Sequence, residues 1–330
     1  MESPQPIIAV QDIMANHPAH QRAPHSDEFL AGAGFVNGRQ VPLDQATIGL
    51  TDTGFAHADA TYDVTTASRG FIFRLDDHLQ RFAESCDKFR LSSPYSLPQI
   101  KEILIELVES SGLRDCFIWW CVTRGGFPPG LQKIDPSKYQ PKFFAYVSNY
   151  RFYAEDDVRS RGLDVVINRQ RIRIPSNAVD PTAKNFHWMD MKMAMFDAFD
   201  EGYDWCVLLD QDGFLTEAPG SNICLIQDDT LITPENGCLL GITRRTALEL
   251  ADSIGLRTEI RRVTPEEALS ADEAFFTSSA GGIAPINSID RTILSGNNGP
   301  GPVTTKLHNL YWEKRWSGWH GHSVAYATKH

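Results

Sequence analysis

Lys184 is the first residue whose surroundings suggest chemistry. It lies in Asp180-Pro181-Thr182-Ala183-Lys184-Asn185-Phe186-His187-Trp188. A lysine is ordinarily solvated surface. Here Ala183, Phe186 and Trp188 flank it, and an ammonium withdrawn from water loses basicity until it can act as a nucleophile toward a carbonyl. A carboxylate follows in Leu215-Thr216-Glu217-Ala218-Pro219-Gly220-Ser221-Asn222, after the turn Asp212-Gly213; its plain reading is a turn-capping glutamate. Gly241-Ile242-Thr243-Arg244 then turns straight into a helix pattern. The first N–H groups of such a helix lack internal acceptors and make an anion site, or the stretch is an ordinary cap. Thr277-Ser278-Ser279-Ala280-Gly281-Gly282 sets hydroxyls at a strand end, either a second phosphate cradle or a turn. Each feature is weak alone. Lysine, acid and two phosphate cradles in this order form a joint signal.

Other constellations fail on spacing. Gly32-Ala33-Gly34-Phe35-Val36-Asn37 lacks the third glycine of a dinucleotide fingerprint, follows no strand and leads into a hairpin. His17 with His20, and His320 with His322, offer pairs without a third ligand, so no metal site is expected. No GxSxG elbow supports Ser/His/Asp catalysis.

The elements that must position these residues are legible in outline. Asn37-Gly38 between short apolar runs predicts a hairpin, since both turn positions accept positive φ. A second strand pair is expected at 61–67 and 71–74. Leu75, Leu79, Phe82, Cys86 and Phe89 recur at spacings of four and three, one apolar helix face. A second helix is expected over 98–111, capped by Ser96 and ended by Gly112. Runs rich in β formers follow at 116–123 and 143–150, with Gly125-Gly126-Phe127-Pro128-Pro129-Gly130 as a loop between them. Further strands are expected at 163–168, 205–210, 222–227, 230–233, 258–263 and 275–278, and helices over 243–254 and 303–314. Thr264-Pro265-Glu266-Glu267 reads as a capping box. Mixed strands and helices in two lobes predict an α/β or α+β fold. The expected division is an N-terminal arm at 1–30, a small α/β domain at 31–154, and a large domain at 155–330 carrying Lys184.

Composition bounds the function. The 330 residues carry 31 Lys and Arg against 42 Asp and Glu, a net charge of −11. Nucleic acid demands a basic stripe, and the cations here are scattered, so no nucleic-acid partner is expected. No run approaches the ~18 apolar residues of a membrane span, and the first 30 residues lack the charged flank and apolar core of a secretory signal. Six dispersed cysteines without a CxxC spacing predict a reducing, cytoplasmic setting.

The chain resembles the class IV pyridoxal-phosphate aminotransferases over about residues 35–315, and within them the (R)-selective amine transaminases. The residues that carry this are Asp52-Thr53-Gly54-Phe55-Ala56-His57-Ala58-Asp59-Ala60-Thr61-Tyr62-Asp63-Val64, Phe73-Arg74-Leu75-Asp76-Asp77-His78, and the stretch around Lys184. His78 to Arg81 and Gly241 to Arg244 are general to the class. The resemblance implies pyridoxal 5'-phosphate as cofactor, with Lys184 as the Schiff-base lysine that shuttles the substrate proton and Glu217 on the pyridine nitrogen. It implies Arg81, Ile242, Thr243 and Ser279 on the phosphate and Leu239 on the ring face. His57, Tyr62, Val64, Phe117, Trp119, Trp188 and Ala280 are implied to line the substrate pocket. A fold-type-IV architecture, a small α/β lobe and a larger β-barrel-like lobe with the site between them, is implied too, as is a homodimer with the site near the interface. The substrates implied are an (R)-amine and a keto acid such as pyruvate; a branched-chain or D-amino-acid aminotransferase, or an enzyme like aminodeoxychorismate lyase, is the alternative. Three positions depart from the amine group. Trp119 stands where an acid is common, Met189 where a glycine is usual, and the loop from Gly125 to Lys133 has no arginine, leaving Lys133 as its only cation.

Overall fold

A computed structural model describes residues 5–294 and 299–326. The chain divides into two compact units, each discontinuous in sequence. The lysine unit comprises Met14–Arg151, Ala183–Phe186 and the described part of Arg315–His330. The glutamate unit comprises the described part of Met1–Ile13, with Phe152–Thr182 and the described part of His187–Lys314. The expected change of unit near residue 155 lies close to the break after Arg151. The segment that carries Lys184, however, groups with the earlier part of the chain, because its backbone bonds to that part's sheet.

Residues 5–30 are anchored rather than loose. They contain helix α1 (Val10–Asn16) and a short turn of helix at Pro18–His20. In the glutamate unit, the Asn309 side chain accepts from Ile8 N–H at 2.8 Å and donates to Pro6 O at 2.9 Å. In the lysine unit, His20 is buried with Nδ1 2.8 Å from Asp115 Oδ1. Buried Val10 and Ala23, and Arg22 donating to the carbonyls of Phe29, Leu30 and Ser111, add to these anchors, and contacts so scattered leave no apolar period in the sequence.

The lysine unit is built on a seven-stranded antiparallel sheet. Its strands are β1 (Ala33–Val36), β2 (Arg39–Pro42), β3 (Ala60–Ser68), β4 (Phe71–Phe73), β5 (Cys116–Thr123), β6 (Lys142–Asn149) and β15 (Gly321–Ser323). Their order is β15-β4-β3-β5-β6-β1-β2. Asn37 and Gly38 take φ values of 53° and 77°, as the hairpin requires. Short helix α2 (Thr53–His57) starts on Asp52, whose side chain accepts from Gly54 N–H. Helices α3 (Leu75–Lys88) and α4 (Leu97–Ser111) lay Leu79, Phe82, Leu104 and Leu107 on Ile118, Trp120 and Val122. Because side chains alternate along a strand, this fixes Phe117 and Trp119 on the opposite face. Register joins Trp119 to Val64 on one side and Tyr146 on the other.

The glutamate unit holds β7 (Leu163–Ile172), β8 (Trp205–Leu209), β9 (Asn222–Gln227), β10 (Thr230–Pro234), β11 (Arg257–Arg261), β12 (Glu273–Ser278), β13 (Gly282–Ile289) and β14 (Thr292–Ile293). The sheet runs β11-β10-β9-β12-β13-β7-β8, with β14 on β13. Pairs β10–β11, β13–β7 and β7–β8 are parallel. Helices α5 (Asp156–Arg161), α6 (Met189–Asp200), α7 (Ile242–Ser253), α8 (Pro265–Leu269) and α9 (Pro302–Trp316) accompany it. The Thr264–Glu267 capping box forms as expected. Strand β7 continues past the expected residue 168, shifting register between Asn168 and Ile172. That extension delivers Arg173 to the site.

Candidate active site

Lys184 is fixed by three hydrogen bonds to its backbone N–H and carbonyl in the lysine unit. Its N–H donates to Ser85 Oγ on α3 at 3.1 Å. Its carbonyl accepts from Tyr62 N–H at 3.1 Å and from Thr61 Oγ1 at 2.6 Å. The segment is thus pinned to the start of β3, and Nζ stands 4.7 Å from the centre of the Tyr62 ring. An ammonium over an aromatic face is attracted by the ring quadrupole, so the amine is held where the strand places it.

An aromatic wall runs outward from that point. Tyr62 stacks with Phe186 at 5.2 Å and with Trp119 at 6.0 Å, and Trp119 stacks with Tyr146 at 5.2 Å. Phe117 lies 6.2 Å from Tyr146, and Val64 pairs with Trp119 across the sheet. His57, at the end of α2, is exposed. The structure also supplies a cation that the sequence did not point to. Arg151 places its guanidinium carbon 5.4 Å from the Phe117 ring centre and 5.9 Å from that of Tyr146. Lys133 is exposed in its loop. Arg124 is committed to Asp59 at 2.8 Å and to the carbonyls of Phe89 and Arg90.

Beneath β3, on its α3 side, Asp63 is fully buried. It accepts from Arg81 Nε at 2.9 Å and Nη2 at 2.7 Å, and faces His78 Nδ1 at 2.8 Å. Burial alone would raise the Asp63 carboxyl; the charges of Arg81 and His78 outweigh it and hold the group below the usual carboxylate range. Burial also pushes the imidazole of His78 down to about 4, against the pull of Asp63. A neutral His78 beside an ionised Asp63 must carry its proton on Nδ1 and donate. Arg81 is thereby oriented and its charge balanced.

In the glutamate unit, Glu217 is 4% exposed yet not alone. Its Oε1 accepts from Arg173 Nε at 3.0 Å, and its Oε2 from Leu239 N–H at 3.0 Å. Leu239 thus contributes a backbone donor besides the ring contact that the family resemblance implies. The Leu239 carbonyl accepts from Asn222 Nδ2 at 2.8 Å. Gly241 caps α7 without a side chain, and a Cβ there would meet Asn222 Oδ1 at 2.0 Å. Only glycine lets the chain pass this close and leave the N–H groups of Ile242 and Thr243 uncapped. At the end of β12, Thr277 Oγ1 is buried without a hydrogen-bond partner among the described residues, two positions before Ser279 and three before Ala280. Trp188 lies against Gly220, whose φ of 74° carries the turn beside the indole.

These donors fit pyridoxal phosphate. A twelve-residue helix opening on glycine suits a phosphate, and a buried carboxylate held by two donors suits a protonated ring nitrogen. Lys184 provides the amine. Among the described residues no cluster of metal-binding type occurs and no helix is long and apolar enough to cross a membrane.

Comparison with known proteins agrees. The family described as Amino-transferase class IV matches residues 60–289, and the chain belongs to it. A putative branched-chain-amino-acid aminotransferase of Methanocaldococcus jannaschii is 28% identical over 281 residues, 84% of this chain and 94% of that protein. The D-alanine aminotransferase of Bacillus licheniformis is 28% identical over 284 residues, 82% of this chain and 93% of its own. The crystal structure of the PLP form of a branched-chain amino acid aminotransferase from Thermobaculum terrenum superposes with a TM-score of 0.77 at 26% identity, covering 90% of this chain and 96% of that one. The mixed α/β architecture of two sheets, one a half-barrel, is that of the fold-type-IV aminotransferases. The protein is an aminotransferase that uses pyridoxal phosphate.

Proposed function

We propose that the enzyme moves an amino group from an (R)-amine to a keto acid such as pyruvate. The observation that supports this is the aromatic wall of Tyr62, Trp119, Tyr146 and Phe117, with the Lys184 amine at one end. An α-carboxylate on the donor gains nothing from these rings and must reach Arg151 at the far end of the wall to avoid being buried unpaired, which is very costly. An aryl or alkyl amine stacks there without that penalty. The acceptor carboxylate finds its partner in Arg151 at the far end of the wall, in place of the arginine missing from the 125–133 loop. A second reading, an aminotransferase of branched-chain or D-amino acids, is favoured by the names of the relatives.

When bound, the cofactor supplies an electron sink for the pair left at the substrate carbon. The chain's own groups do the rest. Lys184 Nζ takes the proton from that carbon and returns it. Glu217 holds a proton at the ring nitrogen. The N–H groups of Ile242 and Thr243, the Ser279 hydroxyl and Arg81 bind the phosphate, and Leu239 packs on the ring. Tyr62, Val64, Phe117, Trp119, Trp188 and Ala280 shape the substrate, with His57 at the rim. The active species is a homodimer in the cytoplasm. Leu50, Phe55 and Ile134 are large apolar side chains exposed in the lysine unit, which supports a second copy as their cover; all six cysteines are free and buried, which supports a reducing compartment.

The test is a donor panel with pyruvate as acceptor. (R)-phenylethylamine should show kcat/KM at least equal to that of D-alanine, with (S)-phenylethylamine and L-leucine far behind. Turnover of amino acids alone would replace this reading with the second one.

A further inference from the structure

Glu217 is one end of a row of three charges. Arg173 joins it at Nε and reaches Asp190 with Nη1 at 2.6 Å. Arg173 is 4% exposed. The Asp190 carboxylate is held in turn by Ile174 N–H at 2.8 Å on Oδ2 and by Met191 N–H at 2.8 Å on Oδ1. The three side chains come from three elements: the extension of β7, the first turn of α6 and the turn before β9. Such an arrangement is more than is needed to hold one carboxylate in place. The pair Arg173–Glu217 by itself sums to zero charge and would face a ring nitrogen with little net attraction for a proton. Asp190 restores one net negative charge to the row.

We propose that Asp190 is a positioning residue that aims Arg173 at Glu217 and adds one negative charge to the row, and so keeps the proton on the cofactor's ring nitrogen. This rests on the reading that Glu217 faces that nitrogen. The remaining ionisable groups around the row do not compete. Cys238 beside Glu217 is pushed up to about 12, chiefly by burial and then by Glu217, and stays neutral. Arg244 is taken up by Thr233 Oγ1 and Pro234 O. On α6, Asp197 is paired with Arg171 at 2.8 Å, and Lys192 lies over the Trp188 ring. Burial works against the Arg173 guanidinium, but Glu217 and Asp190 outweigh it and raise it, so it stays charged at every pH of interest.

The experiment loads the full chain with cofactor labelled with ¹⁵N at the ring nitrogen and follows that resonance against pH. Asp190→Asn removes the charge and keeps one acceptor oxygen, enough for Ile174 N–H and Arg173 Nη1 on the Oδ2 side but not also for Met191 N–H on the Oδ1 side. The ring nitrogen should then lose its proton at a pH lower by about one unit. Turnover should fall about tenfold with KM changed less than twofold, and Asp190→Glu should restore both. If Asp190→Asn does not yield folded holoenzyme, Asp190→Ser takes its place, since it keeps a short acceptor in the first turn of α6 and removes the charge, and the same downward shift is expected. An unmoved nitrogen titration in the folded variant, with only a lower melting temperature, overturns the proposal and leaves Asp190 as a structural anchor of α6. Glu217→Gln separates the two levels. If it too leaves the nitrogen titration unmoved, the fault lies in the role given to Glu217 itself.

Discussion

Replacing Lys184 by alanine removes the amine but none of the three backbone bonds that tie its segment to β3 and α3. The variant should therefore fold, retain cofactor through the phosphate donors and lose transamination entirely. Assay of (R)-amine turnover together with bound-cofactor absorbance checks this; residual full activity would remove Lys184 from the chemistry. Trp119 allows a finer prediction. It is half-buried and stacks between Tyr62 and Tyr146. Trp119→Ala should raise the kcat/KM ratio of a bulky to a small amine, at a cost below the ~3–5 kcal/mol of a fully packed ring. An unchanged ratio would place Trp119 outside the substrate's reach. Single residues were legible where chemistry and local sequence coincide: Lys184 by its apolar flanks, Glu217 by its turn. Arg173, Asp190 and Arg151 were not. Each matters through a partner distant in sequence, as with Arg173 and Glu217 across 44 positions, and pairing of that kind leaves no local pattern.

The start of α7 shows how a whole element is committed to one task. Leu239, Asn222 and Gly241 form a tight knot: Leu239 donates to Glu217 and accepts from Asn222, and Gly241 leaves room for the amide. Gly241→Ala would force Asn222 away and disturb the helix start together with the Glu217 contact. Cofactor affinity should drop at least about tenfold, or 1.4 kcal/mol, read as the dissociation constant from fluorescence titration of apoenzyme; unchanged affinity would show that the phosphate is held elsewhere. Elements with punctuation were readable in the sequence. Ser96 with Gln99 and Thr264 with Glu267 cap α4 and α8, and Gly112 ends α4 with φ of 66°. Helix α6 has no such signs. Its Met191, Met193, Ala194, Met195, Phe196, Ala198 and Phe199 point all around the axis, with Phe196 and Phe199 exposed, so no single stripe reveals it. Strand β13 was hidden by the glycines and proline of Gly281-Gly282-Ile283-Ala284-Pro285, which read as loop until partners are known on both sides.

At the scale of the whole molecule, the pH dependence of stability rests on two buried imidazoles whose proton affinity burial lowers, one in each unit. His78 lies under β3 against Asp63, and His308 on α9 has Nδ1 2.7 Å from Ile283 O and Nε2 3.2 Å from Ile8 O. Burial is the first cause in both and lowers each to about 4. In the unfolded chain a histidine binds its proton near pH 6.5. Between pH 6.5 and 4 the unfolded state therefore takes up protons that the native state refuses, and stability falls as the pH falls through that window. A displacement of this size corresponds to about 3 kcal/mol for each group when fully expressed. That is a large share of the ~5–15 kcal/mol by which a domain is held. Asp63 adds the same direction lower down: its depressed carboxyl stabilises the fold above the ordinary carboxylate range, and that contribution is lost as the pH falls further. The net charge of −11 acts the other way, because acid reduces self-repulsion. Surface repulsion is screened over about 10 Å at 0.1 M salt, whereas the buried rings are not, so the histidines should win. Urea melts at pH 7.5, 6.0, 5.0 and 4.5 in 0.1 M salt should show stability falling steadily below pH 6.5. His308→Gln, which still reaches a carbonyl with its amide but cannot titrate, should be less stable at pH 7.5 and lose about half of that slope. A slope that is flat to pH 4.5 in the wild-type chain would mean that water reaches both rings.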